Sequence, residues 1–276
     1  MTAGSGPVAD ATGDQSLAED VGHRVVGRRV FLTGATLLLP LHLAGTSGCA
    51  ADRSVLVTGG VSAERATAYR SLAQHGIAAV EDLWGTGSVP APIQLDLPAN
   101  AAAWAAATGR QQGSGGEYVA STVWQDSIGR IVVNPATWGA LTPEGRVAVM
   151  THEVTHLAMG RAPDVPWWIT EGMAEYTAHR ASALSLREVA GSALVSLAAE
   201  PPGDWPTPSG AADPWQDYAP AWLACVYLAR TYDESSLLDL HSDLVKAVGV
   251  DKAMQRRCGS NSAQVHQDWL RWLAEQ

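Results

Sequence analysis

Residues 151–156 read Thr-His-Glu-Val-Thr-His, and this segment governs how the rest of the chain is interpreted. His152 and His156 are four residues apart, so on an α-helix they project from the same face, one turn apart. Two neutral imidazoles at that spacing can bind one tetrahedral zinc ion. Glu153 lies on the same turn, where its carboxylate can reach a water on the metal and take its proton. The segment therefore predicts a helix that carries a metal site.

The flanking residues predict the limits of this helix. Thr142 is a typical N-cap residue, Pro143 suits the first helical position, and Glu144 places a negative charge in the first turn. Apolar residues then recur at helical spacing, at Val147, Met150, Val154 and Leu157. Gly160 is expected to end the helix. The motif is therefore predicted on an amphipathic helix with one buried side.

A second stretch, residues 168–176, brings two further carboxylates near the motif. It reads Trp-Ile-Thr-Glu-Gly-Met-Ala-Glu-Tyr, which places Glu171 and Glu175 one turn apart on a predicted helix. A catalytic zinc site has three protein ligands and one open position, so either carboxylate is a candidate third ligand. The alternative is that both histidines are ordinary core or surface residues. A short motif can arise by chance, but the grouping of two histidines with three glutamates disfavours that interpretation.

The combination of H-E-x-x-H with W-[IL]-x-E-G-x-A-E-Y resembles the gluzincin zinc metallopeptidases, especially the compact peptidase MA-like proteins. The resemblance is specific over roughly residues 150–176 and extends loosely over roughly 117–273. It implies an α+β, zincin-like catalytic domain, mostly helical with a small mixed sheet. It also implies that Glu171, which precedes the glycine, is the third zinc ligand. Glu175 would then orient His152 from behind.

The resemblance implies further roles and an activity. Tyr218, at the start of a later predicted helix, would donate a hydrogen bond to the oxyanion, although a packing tyrosine at a helix start is an equally good interpretation. The implied activity is zinc-dependent hydrolysis of peptide or protein substrates, with Glu153 as general base. Two alternatives stay open. One is a cell-envelope lipoprotein with a binding or scaffold role and a vestigial metal site, and the other is an amidase acting on cell-wall peptides.

Elements outside the motif are predicted from periodicity and from turn residues. A helix from Val61 to Gln74 is expected to end at Gly76, and residues 91–98 and 99–108 predict a strand and a helix. Residues 117–124 and 130–134 predict a β-hairpin. In the gluzincin fold the strand nearest the cleft can hold extended substrate by strand addition. The proline-rich segment 200–220 is either a rigid surface connection or a wall of the cleft.

The amino-acid composition limits the classes of protein to which this chain can belong. The chain has 276 residues and a net charge of −10, from 18 basic and 28 acidic side chains, and 46% of its residues are hydrophobic. Such a chain can bury a substantial core. The acidic balance, with Lys246 and Lys252 as its lysines, argues against nucleic-acid binding. The abundance of alanine, glycine and arginine suggests a GC-rich bacterial genome. No internal repeat is visible, and we expect a monomer.

The N-terminal 50 residues predict export from the cytoplasm. Residues 1–26 are small, polar and acidic, which predicts disorder. Residues 27–50 combine paired arginines with a modestly apolar run and resemble a twin-arginine export signal. Cys49 lies in a stretch that resembles a lipobox, so we expect it to be lipidated. The alternative is a membrane anchor at about residues 30–45. Both interpretations place the predicted metallopeptidase domain, residues 51–276, outside the cytoplasmic membrane, either anchored or secreted.

The remaining cysteines and histidines carry simpler predictions. Cys225 and Cys258 form an even pair in an oxidising compartment, so we expect a disulfide between them. The alternative is two buried free thiols. His179, His241 and His266 have no motif around them and are expected on the surface.

Overall fold

The computed structural model describes residues 55–110, 118–209 and 215–276. The fold is α+β and mostly helical with one small mixed sheet, which confirms the predicted fold class at the level of architecture. The segments 1–26 and 27–50, with the expected lipidation site Cys49, lie outside the described residues. Within the ranges just given, no helix is both long and apolar enough to cross a bilayer.

The sheet has four strands: β1 (Val55–Thr58), β2 (Ile93–Asp96), β3 (Ala120–Gln125) and β4 (Ile128–Val133). Their order across the sheet is β1-β2-β4-β3. β1 pairs parallel with β2 and β2 parallel with β4, whereas β3 and β4 form the predicted antiparallel hairpin. β3 is therefore an edge strand. This edge is important because β3 contacts the helix that carries the histidine motif through Thr122 and Glu153.

Helices make up most of the remaining described chain. They are α1 (Ala63–Trp84), α2 (Ala101–Thr108), α3 (Pro143–Met159), α4 (Trp167–His179), α5 (Leu186–Ala190), α6 (Ser192–Ala199), α7 (Trp215–Tyr232), α8 (Glu234–Val245), α9 (Val250–Cys258) and α10 (Ser262–Ala274). Helices α5 and α6 are separated at Gly191, which has a φ of +58°. β1 and α9 were not predicted, since β1 is short and α9 is largely polar.

Two hydrophobic cores divide the molecule, and the motif lies between them. One core packs the sheet against α1 and α3, and includes Leu95, Ile131 and Val154. The other packs α4, α7, α8 and α10 together, and includes Met173 and Leu223. Helix α3 belongs to the first core and α4 to the second, and the two helices are in contact. The histidine motif and the Glu171 helix therefore meet at the junction of the two cores.

Gly76 does not end the first helix, contrary to the prediction from the sequence. Helix α1 continues to Trp84, and Gly85 ends it with a φ of +92°. At Gly76 a Cβ atom would lie 3.2 Å from Val154 Cγ2 and 3.3 Å from Thr151 Cα. The glycine therefore allows α1 to pack closely against the motif segment of α3. Tertiary packing, rather than helix termination, accounts for this residue.

The predicted disulfide between Cys225 and Cys258 is not formed, and both cysteines are free. Cys225 is fully buried on α7, where its Sγ faces the Cα of Gly172 on α4. Cys258 Sγ lies 3.8 Å from Met254 Sδ on its own helix, α9. The two thiols are thus held in different contacts. Burial raises the pKa of both, that of Cys258 to about 11, so neither is a reactive thiolate at neutral pH.

Candidate metal centre

Helix α3 forms as its sequence predicts. The Thr142 side chain accepts a hydrogen bond from the Gly145 amide at 3.0 Å, Pro143 opens the helix, and Gly160 ends it with a φ of +70°. His152, Glu153 and His156 are all buried, with at most 2% of each residue exposed. The buried stripe of α3 therefore carries these polar side chains into the protein interior. Buried polar groups of this kind require partners.

Helix α4 supplies those partners through Glu171 and packs closely against α7 through Gly172. A Cβ atom on Gly172 would lie 2.3 Å from the carbonyl oxygen of Ala221 and 2.7 Å from Cys225 Sγ, so only glycine fits. Glu171, the neighbour of this glycine, is fully buried and points towards α3. The glycine after the glutamate thus sets the distance between α4 and α7. That distance in turn places Glu171 and Tyr218 around the same histidine pair.

Three potential ligand atoms converge at the junction of α3 and α4. Glu171 Oε2 lies 3.3 Å from His152 Nε2 and 3.4 Å from His156 Nε2, and the two Nε2 atoms are 2.9 Å apart. Ligands at the usual zinc bond lengths of about 2.0–2.2 Å lie about 3.3 Å apart in a tetrahedron. Among the described residues, this is the only group of three such side chains close enough to hold one ion. The donor set and its spacing fit zinc.

Glu175 occupies the position behind the first histidine. Its Oε1 lies 3.2 Å from His152 Nδ1, the ring nitrogen that faces away from Glu171. Its Oε2 lies 3.3 Å from Nε2 of His179, one turn further along α4. His179 is itself only 6% exposed in its side chain and packs edge-on against Trp222. The structure therefore corrects the expected surface location of His179 and extends the chain of contacts to three side chains.

The charges of this cluster favour the ionised forms of both His152 and Glu175. Burial alone would lower the pKa of His152, but the hydrogen bonds and charges of Glu171 and Glu175 outweigh burial and raise it well above the usual value. Burial would raise the pKa of Glu175, but contact with His152 and His179 holds it well below its usual range. In the absence of metal, the cluster thus keeps a proton on an imidazole. A metal ion binding there has to displace that proton.

Glu153 contacts the edge strand of the sheet. The Thr122 hydroxyl on β3 donates to Glu153 Oε2 at 2.6 Å and lies 3.1 Å from the carbonyl oxygen of the same residue. Both side chains are buried, with 2% of Thr122 and none of Glu153 exposed. The edge strand therefore contacts the proposed general base directly. Thr122 was not predicted as a site residue, because nothing local links a strand threonine to a residue 31 positions later.

Tyr218 lies beside the cluster, on the first turn of α7. Its ring centroid is 6.1 Å from that of His152 and 5.4 Å from that of Trp167, which it meets edge to face. Its hydroxyl is buried and makes no hydrogen bond within the described part of the chain. Burial and the nearby carboxylate of Glu171 raise its pKa well above 10. The phenol is therefore a protonated donor with no acceptor among the described residues.

The other histidines that the sequence placed on the surface lie away from the centre. His241 and His266 are buried, 5% and 4% exposed, rather than on the surface as expected. His241 packs edge-on against Trp84, and His266 lies 5.1 Å from the ring of Trp205. Trp205 is stacked between Trp168 and Trp269, which fixes this part of the proline-rich segment to the helical core.

Comparison with known proteins identifies no family for this chain. A scan of protein-family models finds no match to the chain, and a search of curated proteins finds no match either. The metal centre therefore has to be interpreted from its own residues: two histidines, one ligand-position glutamate, one supporting glutamate and one base-position glutamate, all buried together.

Proposed function

We propose that this chain is a zinc-dependent metallopeptidase of the gluzincin type, acting outside the cytoplasmic membrane. The observation that carries the proposal is the convergence of His152, His156 and Glu171 at the spacing of a tetrahedral zinc site. Three protein ligands leave one position open, which is typical of catalytic rather than structural zinc. The antiparallel edge strand beside the motif helix also supports the zincin-like fold that the motifs imply.

The residues of the site divide the chemistry among them. His152, His156 and Glu171 would hold the ion, which as a Lewis acid lowers the pKa of water and polarises a carbonyl. Glu153 takes the proton from the attacking water and later delivers it to the leaving amine. Tyr218 stays protonated and donates a hydrogen bond to the oxygen on which negative charge develops. Glu175 fixes the ring orientation of His152 through Nδ1.

The edge position of strand β3 beside the site indicates the substrate class. Within the described residues, one edge of β3 has no neighbouring strand, and the Thr122 side chain of β3 contacts Glu153 on α3. An extended peptide can add to such an edge by main-chain hydrogen bonds. We therefore expect peptides or proteins as substrates.

Metal content tests the ligands. The full chain, purified with zinc supplied, should contain one zinc per molecule by elemental mass spectrometry. Glu171→Ala should lose it, whereas Glu175→Ala should retain it with weaker affinity, because Glu175 supports a ligand rather than binding the ion. Full zinc in Glu171→Ala would refute the ligand assignment.

Hydrolysis tests the reaction. Zinc-loaded wild type, incubated with a mixed peptide library and analysed by mass spectrometry, should cleave internal peptide bonds. Glu153→Gln should bind zinc normally and cleave nothing measurable. Cleavage by the Glu153→Gln protein would contradict the role of Glu153 as base. Cleavage confined to isolated cell-wall peptides would instead favour the amidase alternative. Zinc binding without any hydrolysis would favour the envelope-binding alternative.

A further inference from the structure

The contact between Thr122 and Glu153 is a short hydrogen bond at the centre that has no role in the reaction proposed above. It joins the edge strand to the motif helix through one hydroxyl, 2.6 Å from the carboxylate oxygen Oε2 and 3.1 Å from the carbonyl oxygen of the same residue. Hydrogen bonds from a hydroxyl to a charged carboxylate are short, at about 2.5–2.7 Å, and stronger than neutral ones. The separation observed here is in that range.

The alternation of β3 shows that this contact is built into the strand. Ala120 and Trp124, two residues on either side of Thr122, pack with the core that contains α3. Val123 packs instead with the small cluster around Trp104 on the opposite face. Successive strand residues point to opposite faces, so Thr122 faces α3 while its neighbour Ser121 faces away. The register of the hairpin therefore determines that a hydroxyl is presented to Glu153.

Burying a carboxylate without hydrogen-bond donors costs free energy. A glutamate side chain also has several rotamers available to it. A fixed donor from a rigid sheet both stabilises the charge and selects one rotamer. The hydroxyl has one proton and two lone pairs, so it can also turn its proton to the carbonyl oxygen of Glu153 while the side chain holds the proton taken from water. Thr122 can therefore stay in contact with Glu153 both before and after the carboxylate takes a proton from water.

We propose that Thr122 is the positioning residue for the general base, holding the Glu153 carboxylate in the orientation from which it takes a proton from water. This inference rests on the proposed metallopeptidase function. The edge strand then has two roles, because it offers its outer edge to a peptide and also fixes the base from within the sheet. Thr122 is not expected to touch substrate or metal.

Substitutions at Thr122 test the proposal in the full zinc-loaded chain, with a fluorogenic peptide made from a cleavage site of the library experiment. Thr122→Val keeps the branched shape but removes the hydroxyl. We expect it to retain one zinc, to leave KM within about twofold, and to lower kcat by about 10- to 100-fold, as loss of a supporting contact or a small misplacement does. Thr122→Ser keeps the hydroxyl and should restore most of the lost turnover.

The matched control is Ser121→Ala, since Ser121 is buried to the same extent on the same strand but faces the other way. We expect wild-type kinetics for this variant. Wild-type turnover in Thr122→Val, or an equal loss in Ser121→Ala, would overturn the proposal. Loss of zinc in Thr122→Val would do so as well, because the effect would then be structural. If the valine protein does not fold, Thr122→Ala provides the same deletion of the hydroxyl.

A second measurement tests the contact without relying on activity. Thermal unfolding of the metal-free chain is compared for wild type, Thr122→Val, Glu153→Leu and the double variant. Thr122→Val alone should lower Tm by about 3–6 °C, because it removes the Thr122 hydrogen bond from a buried carboxylate. In the Glu153→Leu background the same change should have less than half that effect. Equal effects in both backgrounds would overturn the contact.

The two measurements separate this inference from the proposed function. If the wild-type chain binds zinc but hydrolyses no peptide, the metallopeptidase proposal fails. If Thr122→Val then lowered Tm more in the wild-type background than in the Glu153→Leu background, the contact would exist. The role of Thr122 in catalysis would nevertheless be overturned. If the wild type is active and Thr122→Val is equally active, only the positioning role fails.

Discussion

Replacing Gly172 by alanine should disrupt the close contact between α4 and α7 beside the candidate metal centre. The added Cβ would lie 2.3 Å from the Ala221 carbonyl oxygen and 2.7 Å from Cys225 Sγ, whereas such contacts are normally about 3.5 Å. Because one neighbour is backbone, α7 has to move as a unit. Overpacking of this kind costs about 1–3 kcal/mol, and a backbone clash belongs at the upper end. Alanine regains about 1 kcal/mol of helix propensity.

The net destabilisation expected for Gly172→Ala is therefore about 2 kcal/mol, which lowers Tm by about 4–8 °C in a domain of this size. Thermal unfolding followed by circular dichroism measures it. The matched control is Gly145→Ala in α3, where the nearest atom to the new Cβ is Thr142 Oγ1 at 3.3 Å and no backbone atom clashes. That variant should change stability by less than about 1 kcal/mol.

The displaced α7 carries Tyr218, so Gly172→Ala should also reduce turnover more than it reduces zinc content. A Gly172→Ala protein that unfolds at or above the wild-type temperature would refute the reasoning. It would mean that α4 and α7 are not in the close contact described here.

The buried histidines and cysteines yield three more predictions. His179→Leu should weaken zinc binding about 10-fold in competition with a chelator, because leucine has no donor for Glu175 Oε2 and Glu175 then loses the contact that holds it against His152; unchanged affinity would contradict this. Burial lowers the pKa of His241 to about 4, so the folded state excludes a proton that the unfolded state binds below its ordinary pKa of 6.5. The stability contributed by the neutral ring is thus complete above pH 6.5 and declines as the pH falls towards 4, by about 2 kcal/mol between pH 7.5 and 5. Denaturant unfolding at both pH values should show wild type losing about 2 kcal/mol more stability than His241→Leu between pH 7.5 and 5, and equal pH dependence of the two proteins would contradict this. Finally, a Cys49→Ser chain denatured without reductant should titrate two free thiols, and none would instead indicate a Cys225–Cys258 disulfide.

Local signals in the sequence predicted the motif helix closely. Thr142, Pro143 and Gly160 act within one turn of their own positions, so the limits of α3 could be derived without knowing the fold. The β3–β4 hairpin was predicted for the same reason, since its strands are adjacent in the chain. Gly76 was misjudged because a glycine that ends a helix and one that admits a neighbouring helix look alike in the sequence.

The chemistry available on α3 is a property of the sequence alone: two imidazoles and a carboxylate lie on adjacent turns because of the 3.6-residue period. Which side chains complete the centre depends on the fold. The packing of the chain turns Glu171 towards the histidine pair and Glu175 towards His152 Nδ1, brings Thr122 to Glu153 from a separate strand, and keeps the two cysteines apart. These outcomes depend on how closely helices and strands distant in the chain approach one another. Such distances are set by packing between the two cores, which no local pattern specifies.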